Sequence, residues 1–239
     1  MHYINNKDLI PRLSIFRLGV VICFVLLITA DTLYPEAQRI DIFKEELNQI
    51  REAAVRGLTS LLKAIPIKDL GYYNFSDQKE LDQATLENPF RIYTIVPERI
   101  LNYSPEVSVE EIISPTFVWL FPVISKGETR TLLTVDFMDG EWRAVAIGRS
   151  GLARQWASIM ELWPSSEGYE HTFVRIFQAK ADFVIISRLE ETKMIPLESG
   201  CVSLGIAEAE VYNPSEIIFK LQKPVRDNIE SSQFIDQKK

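Results

Sequence analysis

The sequence predicts an α+β fold: a long N-terminal amphipathic helix packed on a curved antiparallel sheet, with a second helix and a short C-terminal helix. Three observations predict it. Apolar residues recur at steps of three or four from Ile40 to Ile65, and runs rich in β-branched and aromatic residues follow between Phe90 and Ile147. A second helical period over Ser150 to Trp163 then separates those runs from further strand-like segments.

Ahead of the first helix stands an uninterrupted apolar run of 13 residues, Leu18 to Ala30, preceded by Lys7, Arg12 and Arg17. Its length falls within the roughly 7–15 residues of a signal peptide's apolar region and short of the roughly 20 that span a bilayer. Residues 1–30 therefore read as a signal cleaved after Ala30 or as an uncleaved anchor. Ile28 stands where a cleavage site prefers a small side chain, and extending the run backwards admits Arg17. Three positive residues against Asp8 keep the N-terminus in the cytoplasm and deliver the body outward. The body is then secreted or periplasmic if cleaved, and otherwise tethered to the membrane through residues 13–30. Cys23 follows Ile22 rather than a small residue, which argues against a lipid anchor.

Removing residues 1–30 moves the net charge from −7 to −9. That balance argues against nucleic acid and anionic membrane surfaces as partners. Cys201 is the one cysteine of the body, so no intrachain disulfide can hold it, and the single domain expected over residues 31–224 needs an apolar core.

In the first helix Ile40, Phe43, Leu47, Ile50, Ala54, Leu58, Leu61 and Ile65 form the apolar stripe, Glu52 and Arg56 are a favourable i,i+4 pair, and Pro66 ends the ladder. A polar connection from Lys68 to Pro89 holds one helical turn beginning at Ser76. Strands are expected at Phe90–Val96, Thr116–Ser125, Thr129–Phe137 and Trp142–Ile147. Lys126-Gly127 and Asp139-Gly140 turn the last three into an antiparallel meander, and Pro122 suggests a sheet edge or a bulge. Pro164 stops the second helix. Strands resume at Thr172–Gln178 and Asp182–Ser187, with a shorter run near Met194–Leu197. Asn213-Pro-Ser-Glu216 caps a short helix that Pro224 ends, leaving residues 225–239 as a polar, frayed tail.

A long helix followed by antiparallel strands, with Pro89-Phe-Arg-Ile-Tyr-Thr-Ile95 opening the sheet, resembles the cystatin-like and PepSY-like exported domains of bacteria in arrangement over residues 38–188. The resemblance implies a binding, inhibitory or folding-assistance role rather than catalysis, and it carries no functional position onto this chain.

Chemistry-bearing residues are few. His171 is the only histidine after Ala30, so no multi-histidine metal centre can be built, and no metal or cofactor is expected. A hydrolase would need His171 beside Ser165 or Ser166, or beside Cys201, yet no Gly-x-Ser-x-Gly elbow is present. Among carboxylates, Ser108-Val-Glu-Glu111 reads as a capping box, and Asp136, Asp139 and Glu141 surround an Asp-Gly turn. Gly148-Arg-Ser-Gly151 leads into the second helix. With Arg143, Arg149, Ser150, Gly151 and Arg154 it is a candidate for holding an anion or the carboxylate of a peptide or partner. No catalytic residue is assigned. The expected role is binding of a protein or peptide partner, with an extracytoplasmic hydrolase or a structural component of an envelope assembly as alternatives.

Overall fold

The computed structural model describes residues 36–236 except Ala209, with side chains placed over residues 44–232. The expected signal or anchor, residues 1–30, lies outside the described residues. Within them, no helix is long and apolar enough to cross a membrane. The chain divides into two units, residues 1–48 and 49–239. The described part of the first belongs to α1 (Glu36–Lys63), which continues into the second. Everything below concerns the second unit.

After α1 come a 3-10 helix (Ile67–Tyr73), α2 (Gln78–Asp82), β1 (Thr85–Leu86), β2 (Phe90–Ile95), α3 (Pro97–Leu101), α4 (Val109–Ile112), β3 (Ile113–Ser125), β4 (Glu128–Met138) and β5 (Glu141–Gly148). The chain continues through α5 (Ser150–Leu162), a 3-10 turn (Ser165–Glu167), β6 (Glu170–Ile176), β7 (Ala181–Arg188), β8 (Glu191–Pro196), α6 (Glu198–Leu204) and α7 (Pro214–Asp236). The architecture is mixed α+β around one eight-stranded sheet ordered β5-β4-β3-β2-β6-β7-β8, with β1 beside β3.

Both expected hairpins form. Lys126 and Gly127 have φ of 53° and 77°, and Asp139 and Gly140 have 52° and 86°, the consecutive positive values of a tight turn that matches strand twist. The antiparallel expectation holds within two meanders, β2 to β5 and β6 to β8, and fails where they meet, because β2 and β6 run parallel. The cause is topological. α5 carries the chain from the outer strand β5 back across the sheet to a place beside β2, and a helical crossover is what parallel neighbours need.

Neighbouring residues on β3 point to opposite faces, which fixes what covers each. Leu120 packs in one cluster with Ala153, Trp156 and Ile159 of α5. Trp119 pairs with Val135 and Val135 with Ala144, so these three share the other face. There the α1 stretch from residue 49 onward lies against β5: a Cβ added to Gly57 would stand 2.3 Å from the Ala144 Cβ. Ile50, Ala53 and Ala54 are buried along the same stretch, while Glu52 and Arg56 form an exposed pair at 3.4 Å. Beyond the seam, α7 covers that face with Ile217, Ile218, Leu221 and Val225 against Ile95, Val174, Ile176 and Phe183.

Two prolines act differently from expectation. Pro122 lies neither at an edge nor in a bulge: β3 has β4 on one side and β2 then β1 on the other. Its carbonyl accepts from the Glu87 amide at 2.9 Å on the β1 side. An N–H and C=O of one strand residue point the same way, so the missing donor is on the side of Glu87, and the ladder to β4 loses nothing. Pro224 does not end the last helix, which runs on to Asp236. Val225, fully buried in line with Ile218 and Leu221, supplies apolar contact that outweighs the lost hydrogen bond.

The first hairpin is pinned by a buried charge. Glu80 of α2 is completely buried, and Arg130 Nη2 stands 2.5 Å from its Oε1. Arg130 is the extra residue of a bulge, falling between the pairs Val123–Thr131 and Ile124–Thr129. The Ser76 amide donates to Glu80 Oε2 at 2.7 Å, and the Ser125 hydroxyl donates to the Glu80 carbonyl at 2.9 Å. The Ser76 amide is the main influence holding the Glu80 carboxyl below its usual pKa; burial opposes it, and Arg130 and Lys126 reinforce it.

Two substitutions test this packing by denaturant unfolding. Gly57→Ala is expected to destabilise by about 1–3 kcal/mol through overpacking, although alanine gains up to ~1 kcal/mol of helix propensity. A stabilised variant would mean that α1 does not lie on Ala144. Pro224→Ala restores a donor to a helix whose apolar side stays buried, and a gain of about 1–3 kcal/mol is expected.

Candidate functional site

A cleft of ≈ 830 Å³ opens where β2, β3, α5 and the start of β6 meet. One wall is the connection Glu87–Pro89 leading into Phe90, with Pro122 of β3 beside it. The opposite wall is Trp156 and Met160 of α5 followed by Pro164, Ser165 and Ser166, and Gly168 to His171 complete the rim.

Local chemistry explains why the chain turns here. Trp163 closes α5 through its amide on the Ile159 carbonyl, and Pro164 cannot continue the ladder. The 3-10 turn over Ser165–Glu167 ends at Gly168, whose φ of 87° suits a residue without Cβ, and the chain reverses into β6. Phe90 and Trp156 stack at the base with centroids 3.8 Å apart and an 18° angle between planes. Phe173 stands 5.5 Å from Phe90 and 6.2 Å from Trp156, so the base is a fixed aromatic group reaching from β2 to β6.

His171 is half-buried, with its ring 6.3 Å from Trp156. Its Nε2 lies 2.7 Å from the Trp163 carbonyl, which can only accept, so Nε2 carries the proton. Burial pushes its pKa below the usual histidine value and the carbonyl partly offsets this, leaving the ring neutral at pH 7. The structure brings His171, Ser165 and Ser166 to one cleft. Among the described residues no hydrogen bond joins the ring to either hydroxyl, so a nucleophile and base are not paired.

Cys201 is elsewhere. It is buried in α6, its Sγ directed to the Pro196 and Ala207 carbonyls at 3.8 and 3.5 Å, and burial raises its pKa away from thiolate chemistry.

The expected anion-holding residues fall at two ends of β5, with Arg143 and Arg149 six residues or about 20 Å apart along an extended strand. Arg143 sits at the Asp139–Gly140 turn, where it pairs with Glu141 at 2.6 Å and Asp139 at 3.2 Å. Arg149 stands before α5 with φ 62°, and desolvation first, then Arg175, lower its pKa while Asp182 opposes them. The Ser150 hydroxyl donates to the Tyr72 carbonyl at 2.8 Å, the Gly151 carbonyl accepts from the Gln155 side chain, and Arg154 is exposed. Of the carboxylates, Glu111 accepts from the Ser108 amide at 3.3 Å and Glu110 from the Thr192 hydroxyl at 2.8 Å. Among the described residues there is no group of three or more His, Cys, Asp or Glu side chains able to hold a metal.

Glu87, Glu170, Tyr169 and Met160 are site residues that sequence reasoning did not single out. They carry no local motif and come together only through the crossover. No known protein family, curated protein or solved structure matches the chain.

The lowered His171 pKa makes a signed prediction. A histidine that binds fewer protons folded than unfolded contributes its full stability above about pH 6.5 and loses it as pH falls below that value. Denaturant midpoints measured from about pH 8 to about pH 5 are expected to drop more for the wild type than for His171→Gln. Parallel pH profiles would contradict the buried, neutral ring.

Proposed function

We propose that this chain is an exported or membrane-tethered binding module, with an accessory, inhibitory or folding-assistance role, that holds a protein or peptide segment in the cleft between β2, α5 and β6. The carrying observation is the cleft itself: a rigid aromatic base, a rim of exposed hydroxyl and carboxylate groups, and a histidine whose Nε2 is spent on a backbone carbonyl. The apolar run Leu18–Ala30 behind Lys7, Arg12 and Arg17 supports a body outside the cytoplasm. To this reading also belong the long N-terminal amphipathic helix as a cover of the curved sheet and the resemblance to cystatin-like and PepSY-like exported domains.

A second reading, an extracytoplasmic hydrolase, is favoured by one observation, the shared cleft of Ser165, Ser166 and His171.

One experiment separates the two. A photo-crosslinking residue is placed at exposed Ser166, and as a control at exposed Lys79, in the full chain within the cells that make it. The binding reading expects a protein or peptide adduct of defined mass at position 166, absent at 79 and unchanged by His171→Ala. An adduct at neither position, or a hydrolytic activity abolished by His171→Ala, would overturn it.

A further inference from the structure

We infer that the cleft selects an extended peptide segment carrying a lysine or arginine next to an apolar side chain. This rests on the binding reading above and adds the charge of the ligand. Glu87 and Glu170 both stand exposed at the cleft, one before β2 and one at the start of β6. No lysine or arginine lines the cleft, and neither carboxylate has an ion-pair partner among the described residues. Other acids on or beside the sheet do hold a cation, Glu128, Asp139, Glu141, Asp182 and Glu191 among them.

Two cations stand near this rim and both are engaged. Arg51 donates to the Asn88 side chain at 3.3 Å and makes no ion pair with Glu87. Arg188 lies 5.0 Å over the Tyr169 ring and donates to its hydroxyl at 3.4 Å. The His171 ring adds no positive charge at pH 7, because its half-buried position disfavours the charged form more than the Trp163 carbonyl favours it.

Pro89, Met160 and Pro164 with the Phe90–Trp156 stack give the cleft an apolar part, beside the polar groups of Asn88, Ser165, Ser166 and Tyr169. An ammonium or guanidinium head would therefore sit at the rim with its stem, or the neighbouring residue, on the apolar base. A volume of ≈ 830 Å³ in an open cleft is on the scale of a peptide segment rather than of a single ion. The net charge of −7 steers a basic segment toward it and an acidic one away.

The test uses random peptides displayed on phage, selected on the full chain as wild type, as E87Q/E170Q and as S166W. All three positions are exposed, so the substitutions leave the core intact. Selected peptides are expected to place lysine or arginine beside an apolar residue. Synthetic copies should bind the wild type about five- to tenfold more tightly than E87Q/E170Q, as two partly screened rim charges allow. That preference should shrink as salt is raised, and binding should be lost in S166W, where an indole fills the cleft. Peptides without a basic bias that bind E87Q/E170Q equally, yet fail on S166W, would overturn the charge inference while the cleft reading stands. Peptides that bind S166W as well as the wild type, or no enrichment at all, would overturn both.

Discussion

The parallel seam between β2 and β6 is the constraint on which the rest of this structure depends. Two antiparallel meanders, each able to form from local hairpins, are joined through only two paired positions, Ile92 with Phe173 and Tyr93 with Val174. Parallel pairing is slightly weaker per residue than antiparallel, and a junction this short cannot stand on its ladder alone. It is closed by side chains on both faces. On one, Trp156 stacks on Phe90 and meets Phe173 edge-on; on the other, Ile95, Val174 and Ile176 are sealed by Ile100, Ile112 and the apolar side of α7. The Thr94 hydroxyl adds a bond to the Arg175 carbonyl at 2.8 Å across the same line.

That seam also builds the cleft. Glu87 to Phe90 lead into β2, and Tyr169 to His171 lead into β6, so the pairing of the two strands brings both segments to one cleft under α5. Trp156 serves as clamp and base at once, which leaves its ring little freedom to rearrange around a ligand. The Glu80–Arg130 pair, wholly buried on the carboxylate side, fixes which residues α2 and the β3–β4 hairpin present to each other. Removing either partner alone would leave a buried charge uncompensated. Glu87 and Glu170 at the cleft have no ion-pair partner among the described residues.

Where a structural feature is written in neighbouring residues, the sequence made it legible. Lys126-Gly127 and Asp139-Gly140 specify their turns, Pro164 stops α5, and Asn213 caps α7 through the Ser215 amide. What depends on distant partners was hidden. No local pattern distinguishes a strand with a parallel neighbour from one with an antiparallel neighbour, so β2–β6 could not be anticipated. Pro122 and Pro224 looked like interruptions because their local cost is visible, whereas the side to which Pro122 turns its missing donor and the buried stripe through Val225 are tertiary facts. The same division runs through the site. Ser165, Ser166 and His171 are close in sequence and could be named together, while Glu87 and Phe90 reach them only through the crossover. Arg143 and Arg149 are near in sequence, yet β5 extends between them.

The most direct measurement is native-state hydrogen exchange of the seam amides, Ile92 to Thr94 on β2 and Phe173 to Arg175 on β6, compared with the centres of both meanders. If the aromatic clamp makes the sheet one cooperative body, the seam amides exchange only with global unfolding and share the slowest opening free energy with β3–β4 and β6–β7. If the seam exchanges through a separate, lower-energy opening while each meander stays protected, the two halves are independent. A cleft lined from both β2 and β6 would then lack its fixed base.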